Sequence, residues 1–559
     1  MRLNRFLRPI MATLALAVAG PAFAEEPAPA AAAPVPVSPP PPLILAISVD
    51  QFSADLFAQY REHFSGGLAR LLTGAVFPSG FQSHAATETC PGHSTILTGT
   101  RPARSGIVAN WWFDPKLTRA DKRVYCSEDE SDPASTSEKP VVSARHLKVP
   151  TLGDRLKALD PKSRNVAVSA KDRGAVMMGG HAIDAAYWWN GAAFETFKGR
   201  KASSAAQTQN ARIAALTAKG DGDLPVPAWC AVHDRAIPVG ARTVGTYRFA
   251  VPAGQATAWG RTPRMDAATA DLAIALADEL KLGRDASPDV LSVSLSVTDF
   301  VGHAYGTEGV EMCIQLAQLD QTLGRLFAAL DERGIDYAAV LTADHGGIDA
   351  PERLNEQGYP AAERISEELD VDAVGEAVSR YTGIKAASGP LLFGGGGSGD
   401  IYVSDKLGLA DRARVIEGAV AHLGRRAQVA DVMTAEEVAA LPMPTGSPQD
   451  WTIRQRVRAS FLKGVSGDVI VMLKRGVVAA NTKGGSITTH GSPWDYDRRV
   501  PILFWRKGMT GLEQPAPVET VDIAPTLAAL LRLTIAPGEF DGRCLDIDGG
   551  EGSTCPTAR

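Results

Sequence analysis

Four short apolar runs recur along the chain, and each hands over to polar residues. Leu43 to Asp50 reads LILAISVD and ends in a carboxylate. Asn165 to Ala170 leads into Lys171, Asp289 to Val297 into Thr298 and Asp299, and Tyr337 to Thr342 into Asp344 and His345. Runs of this length are the pattern of buried strands. Between them lie amphipathic stretches with helical spacing, such as Ala267 to Leu282 and Glu311 to Glu332. Strands alternating with helices predict an α/β fold: a central, largely parallel sheet with helices on both faces. Ligands of such sheets bind at the C-terminal ends of the strands. All four runs place chemistry-capable side chains there.

Two stretches break the rhythm. Tyr187 to Arg264 is rich in small and polar residues and shows no repeated strand–helix unit. Asp349 to Asp450 carries helical pattern at Ala361 to Arg380 and Ala410 to Leu423, around the run Gly394 to Gly397. That run lacks the Lys-Ser/Thr ending of a phosphate-binding loop and is expected to be a turn. The reading is one catalytic domain over 43–559, with an inserted cap region near 187–264 and a second insertion near 349–450. No internal repeat is present.

The N-terminus changes the cellular picture. Arg2, Arg5 and Arg8 precede an apolar run from Pro9 to Ala22, and Ala22-Phe23-Ala24 is an A-x-A cleavage site. Residues 1–24 are therefore expected to be a signal peptide, and the Ala/Pro-rich 25–42 an extended linker. The run is short for a membrane span, so none is expected after signal removal. The expected location is periplasmic or secreted. Cys90, Cys126, Cys230, Cys313, Cys544 and Cys555 are an even number in an exported chain, which permits disulfides. Cys544 and Cys555 are the natural local pair; for the others, disulfides and buried thiols both stay open. A net charge of −6 offers no broad nucleic-acid or anionic-membrane surface. Without a C-x-x-C pair, a thiolate zinc site is disfavoured.

The candidate chemistry is carboxylate and imidazole. Asp299 and His303 stand four apart and can face one ion from one helical turn. Asp344-His345-Gly346-Gly347 follows a strand, Thr489-His490-Gly491 is a second His-Gly turn, and Asp50 ends the first strand. Nitrogen and oxygen donors of this kind suit a catalytic metal site with open positions. Each alone reads first as a capping or structural hydrogen-bonding residue; their joint placement at strand ends is what points to metal. The run Thr87-Glu-Thr89-Cys-Pro-Gly-His93 leads into a helix start. Thr89 there is either a plain N-cap or a hydroxyl held at a helix N-terminus, where an anionic substrate is favoured.

In order along the chain, Asp50, the Thr-x-Pro-x-His stretch, Asn110, Asp299-x-x-x-His303, Asp344-His345-Gly346 and His490 resemble the zinc-site pattern of the alkaline phosphatase superfamily. The resemblance spans about Leu43 to Pro501. It lies nearest the branch with a threonine nucleophile, which includes nucleotide pyrophosphatase/phosphodiesterases and phosphate-irrepressible bacterial alkaline phosphatases. It implies two Zn(2+) per chain, about 4 Å apart. Asp299, His303 and His490 would hold one. Asp50, Asp344, His345 and the Thr89 oxygen would hold the other. Thr89 would attack phosphorus and form a phospho-threonine, while Asn110 would donate to a phosphoryl oxygen.

The chain departs from the best-known bacterial alkaline phosphatases: the nucleophile is Thr, and no magnesium ligand set is evident. Lys171 and Arg173 end another strand, at the place where the resemblance implies a Lys and an Arg on the phosphoryl group. Lys171 could replace the magnesium charge and Arg173 could grip two oxygens; the alternative is an exposed charged turn. The function this implies is phosphate monoester hydrolysis of broad range, on small phosphate-ester substrates, with a monomer as the expected assembly and no specific nucleic-acid partner. Two alternatives stand beside it: a phosphodiesterase or nucleotide pyrophosphatase on the same metals, and a non-catalytic metal-binding protein. A sulfatase ranks lower, because the Cys-x-Pro-x-Arg signature is absent.

Overall fold

The structure is a computed structural model that describes residues 39–394, 399–481, 485–550 and 553–555. The signal-peptide expectation and most of the linker and glycine-run expectations lie outside the described residues. Five strands form the parallel heart of a ten-stranded sheet. In spatial order they are Ala338–Thr342, Leu43–Val49, Asp289–Leu295, Asn165–Ser169 and Ala185–Trp189. Every residue of the strand Leu43–Val49 is buried, as expected for a strand covered on both faces. On one side the sheet continues through the antiparallel Arg499–Arg506, which pairs in turn with Ala75–Phe81. The periodicity does not single out these two strands, because Pro78 and Pro501 interrupt their apolar runs.

Because the five central strands run parallel, their C-terminal ends share one edge. Asp50, Lys171, Asp299 and Asp344 follow four of those ends directly or within a few residues. The Asp50 backbone N–H donates to the Leu295 carbonyl at 2.9 Å, which extends the pairing into the site. Helices Pro263–Glu279 and Val310–Glu332 pack beside each other on one face. Pro263 occupies the first turn, where its missing N–H has no partner to lose.

Within 187–264, the helix Ser204–Lys219 packs on Pro263–Glu279. Phe194, Ile213, Phe249 and Trp259 from this stretch join the same apolar core as the first strand. A separate four-stranded antiparallel sheet forms from Leu392–Gly394, Gly399–Val403, Val469–Leu473 and Val429–Thr434. Helices Val371–Thr382 and Leu409–Leu423 cover it around their own apolar cluster. The helix expected over Ala361 to Arg380 is broken: Glu363–Arg364 is a strand, Glu367–Leu369 a 3-10 turn, and the helix starts at Val371. The Ser366 hydroxyl accepts from the Glu368 N–H and so favours the turn.

All six cysteines pair, as Cys90–Cys126, Cys230–Cys313 and Cys544–Cys555. Three disulfides fit an oxidising compartment. Among the described residues, no helix is long and apolar enough to cross a membrane.

Candidate metal centre and active site

The helix Val297–Tyr305 sets Asp299 and His303 one turn apart, with His303 Nε2 3.3 Å from Asp299 Oδ1. His490 Nε2 approaches the same oxygen at 3.4 Å. On the neighbouring strand ends, His345 Nε2 lies 3.5 Å from Asp50 Oδ1 and 3.4 Å from Asp344 Oδ2. Asp50, Asp344 and His345 are fully buried, and Asp299 nearly so. The structure therefore gathers the six carboxylate and imidazole side chains singled out as ligands. They lie in overlapping clusters: Asp299, His303 and His490 form one, Asp50, Asp299 and His345 another, and Asp50, Asp344 and His93 a third.

Three histidines are aimed by the backbone. His303 Nδ1 faces the Thr488 carbonyl at 2.9 Å, His345 Nδ1 that of Gly346 at 2.8 Å, and His490 Nδ1 that of Thr87 at 2.7 Å. A carbonyl only accepts, so each Nδ1 carries a proton, and in the neutral ring each Nε2 keeps a lone pair for a cation. Asp50 Oδ1, Asp299 Oδ1 and His345 Nε2 are buried with no hydrogen-bond partner. Buried polar atoms are rarely left so, and a divalent cation would satisfy all three. Burial, joined by the charge of Asp344, pushes the Asp50 carboxyl up to about 8, against the pull of Lys171. The pocket is short of positive charge, which also fits a cation. The donor set, nitrogen and oxygen without thiolate, suits zinc and does not exclude other divalent ions.

Lys171 is placed differently from a residue that only meets substrate. Its Nζ lies 2.6 Å from Asp50 Oδ2 and 2.6 Å from Asp299 Oδ2, bridging the two clusters. Burial works against the Asp299 charge, but Lys171 and His303 outweigh it and hold that carboxyl well below the usual range. The alternative of an exposed charged turn falls, because Lys171 is 6% exposed.

The helix Thr89–Thr98 begins at Thr89, and Glu88 holds the N-cap position. Thr89 is thus not the cap, and its buried side chain stands at the first helical position. Both clusters grip this segment. His490 bonds the Thr87 carbonyl, as above, while His93, one turn into the helix, sits 3.0 Å from Asp344 Oδ2 through Nδ1. That same nitrogen lies 2.9 Å from the Thr89 carbonyl, and His93 Nε2 lies 2.9 Å from Ser294 Oγ. A Cβ on Gly92 would collide with the Asp344 carbonyl, so only glycine allows this approach. His93 belongs to the sequence motif but carries no role there; its hold on Thr89 becomes visible only in three dimensions.

Asn110 and Arg173 complete the rim. Asn110 Oδ1 accepts the Cys90 N–H at 2.8 Å, so its amide nitrogen remains available as a donor. Arg173 Nη1 donates to the Tyr125 hydroxyl at 3.3 Å, and its Nε is buried without a partner. Sequence reasoning misses Tyr125 and Glu88, whose carboxylate takes the Asn110 backbone N–H at 2.7 Å. Neither stands in a pattern that spacing would reveal.

Comparison with known proteins gives the family. Residues 44–493 match the type I phosphodiesterase / nucleotide pyrophosphatase family. Alkaline phosphatase PhoK of Sphingomonas sp. is 48% identical, over 98% of this chain and 99% of its own. Alkaline phosphatase PhoD of Zymomonas mobilis subsp. mobilis is 46% identical, over 92% and 89%. The crystal structure of wild-type alkaline phosphatase PafA is similar with a TM-score of 0.77 at 26% identity, covering 91% of this chain and 99% of that one. A PafA variant changed at a threonine, an asparagine, a lysine and an arginine, in that chain order, matches with the same TM-score at 25% identity. The chain is an enzyme that belongs to the type I phosphodiesterase / nucleotide pyrophosphatase family, in the threonine-nucleophile branch of the alkaline phosphatase superfamily.

Proposed function

We propose that this chain hydrolyses phosphate monoesters, with Thr89 as a covalent nucleophile. The observation that carries the reading is the grip of both carboxylate–imidazole clusters on the segment Thr87 to His93, at whose helix N-terminus Thr89 stands. Asp299, His303 and His490 would hold one zinc, and Asp50, Asp344, His345 and the Thr89 oxygen a second. Cations bound there supply Lewis-acid charge, which lowers a hydroxyl pKa and stabilises a leaving oxygen. The Thr89 Oγ–P bond forms as the ester P–O bond breaks; the Thr89 hydroxyl gives its proton to solvent, and the leaving oxygen takes one from solvent and departs as the alcohol. Water oxygen then bonds to phosphorus, losing a proton, the Thr89 Oγ–P bond breaks and Thr89 Oγ is reprotonated, and inorganic phosphate leaves. The helix N-terminus favours the anion throughout. Asn110 donates its free amide N–H, and Arg173 its unpartnered Nε–H, to non-bridging oxygens. The relatives named as alkaline phosphatases support monoesters as substrates, and the four residue types changed in the PafA variant occur here in the same order as Thr89, Asn110, Lys171 and Arg173. The disulfides support a periplasmic or secreted location.

The family also covers diesterases, so the choice between substrates rests on charge. A monoester brings a dianion; a diester brings one negative charge and a second ester group. Lys171 and Arg173 add two positive charges that only the dianion uses fully. Hydrogen bonds between charged partners are worth roughly 1.5–3 kcal/mol each, so two favour monoesters by about two to four decades. The test is kcat/KM for p-nitrophenyl phosphate and for its methyl diester. The wild type is expected to favour the monoester, and Lys171→Ala with Arg173→Ala to lower the monoester value by at least about a hundredfold, with a much smaller loss on the diester. Equal losses on both would move the diesterase reading ahead.

A further inference from the structure

We propose that Tyr125 is the positioning residue for Arg173, the element that turns the guanidinium edge toward the phosphoryl group. This rests on the reading of Arg173 given above. Tyr125 is 4% exposed, and its hydroxyl is used on both sides: it donates to Asp172 Oδ1 at 2.6 Å and accepts from Arg173 Nη1 at 3.3 Å. Asp172 Oδ1 also takes the Arg173 backbone N–H at 2.7 Å. One carboxylate oxygen thereby fixes both the main chain of Arg173 and the hydroxyl that fixes its side chain. One N–H of Nη1 is occupied, while Nε–H and an N–H of Nη2 project in parallel along one edge. That edge suits two oxygens of a phosphoryl group, and Nε is the buried donor that no protein group satisfies.

The ring itself is held by a small hairpin that serves the rest of the rim. Trp111–Phe113 pairs antiparallel with Arg123–Tyr125, and Trp111 lies opposite Tyr125 with ring centroids 4.5 Å apart. Asn110 directly precedes Trp111, and its carbonyl accepts the Cys126 N–H at 3.0 Å. Cys126, next to Tyr125, is bonded to Cys90, next to Thr89. The hairpin thus joins Thr89, Asn110 and Arg173 into one unit, and Tyr125 is its link to the arginine.

The test is a double-mutant cycle with Tyr125→Phe, which keeps the ring and removes only the hydroxyl, and Arg173→Ala. Each variant is measured on p-nitrophenyl phosphate, on its methyl diester, and for inhibition by inorganic phosphate. Tyr125→Phe alone is expected to lower monoester kcat/KM by about tenfold and to weaken phosphate inhibition by a similar factor. The diester loss is expected to be several-fold smaller, which a general loss of fold would not produce. In the Arg173→Ala background, Tyr125→Phe is expected to add nothing beyond about twofold. An undiminished Tyr125→Phe loss in that background, or none in the wild type, overturns the positioning role while leaving Arg173 on the phosphoryl group. Full activity of Arg173→Ala itself overturns the role of Arg173 and this inference with it.

Discussion

Thr89→Ala is expected to lose at least about a thousandfold in monoester kcat, while Thr89→Ser retains activity within roughly tenfold of wild type. The difference follows from where Thr89 stands. A residue that merely capped the helix would be replaced by alanine at a cost of about 1 kcal/mol in stability, with little effect on chemistry. Here Glu88 holds the cap position, so losing the Thr89 hydroxyl costs the helix little and the reaction its attacking oxygen. Serine keeps that oxygen and loses only a methyl group. Thermal unfolding midpoints of both variants are expected to stay close to wild type. An alanine variant with more than a tenth of wild-type turnover would remove Thr89 from the chemistry.

Removing divalent metal is expected to abolish turnover, and adding zinc to restore it. A threonine hydroxyl is a poor nucleophile at its free pKa, and His93, one turn along the same helix, is not free to act as its base, because its two ring nitrogens are engaged by Thr89, Asp344 and Ser294. The same removal is expected to lower the thermal midpoint, because a cation that binds only the folded state stabilises it. Asp50 and Asp299 would then be left with Lys171 Nζ, 2.6 Å from each, as the cation between them. The check is turnover and unfolding, with metal content assayed in the same samples. Full activity in protein shown to be metal-free would end the metal-dependent account.

Much of the site is legible in the sequence because each ligand sits at the end of a recognisable element. Asp50 closes an apolar run, Asp344 follows another, and the four-residue spacing of Asp299 and His303 is a helical turn. Parallel strands then bring these ends to one edge without further information. The supporting residues are another matter. Tyr125 reaches Arg173 across 48 residues of sequence, and Ser294 reaches His93 across 201. No periodicity encodes such pairs. The disulfide beside Thr89 is likewise hidden, since six cysteines permit 15 pairings. The four-stranded sheet of Leu392 to Leu473 escapes for a related reason: Gly399–Val403 and Val469–Leu473 pair across a long intervening segment. Lys171 is half legible: its strand end is visible, but not that it bridges two carboxylates.

The most direct test of the central claim is to stop the reaction with acid during turnover of p-nitrophenyl phosphate and locate phosphate on the protein by mass spectrometry. Low pH preserves a phosphate monoester on a hydroxyl and halts its hydrolysis. The account predicts one phosphorylated residue, Thr89, in wild-type protein, phosphoserine at the same position in Thr89→Ser, and no phosphorylation in Thr89→Ala. Phosphate on Ser94 or Thr95 instead, or undiminished labelling in Thr89→Ala, would contradict it.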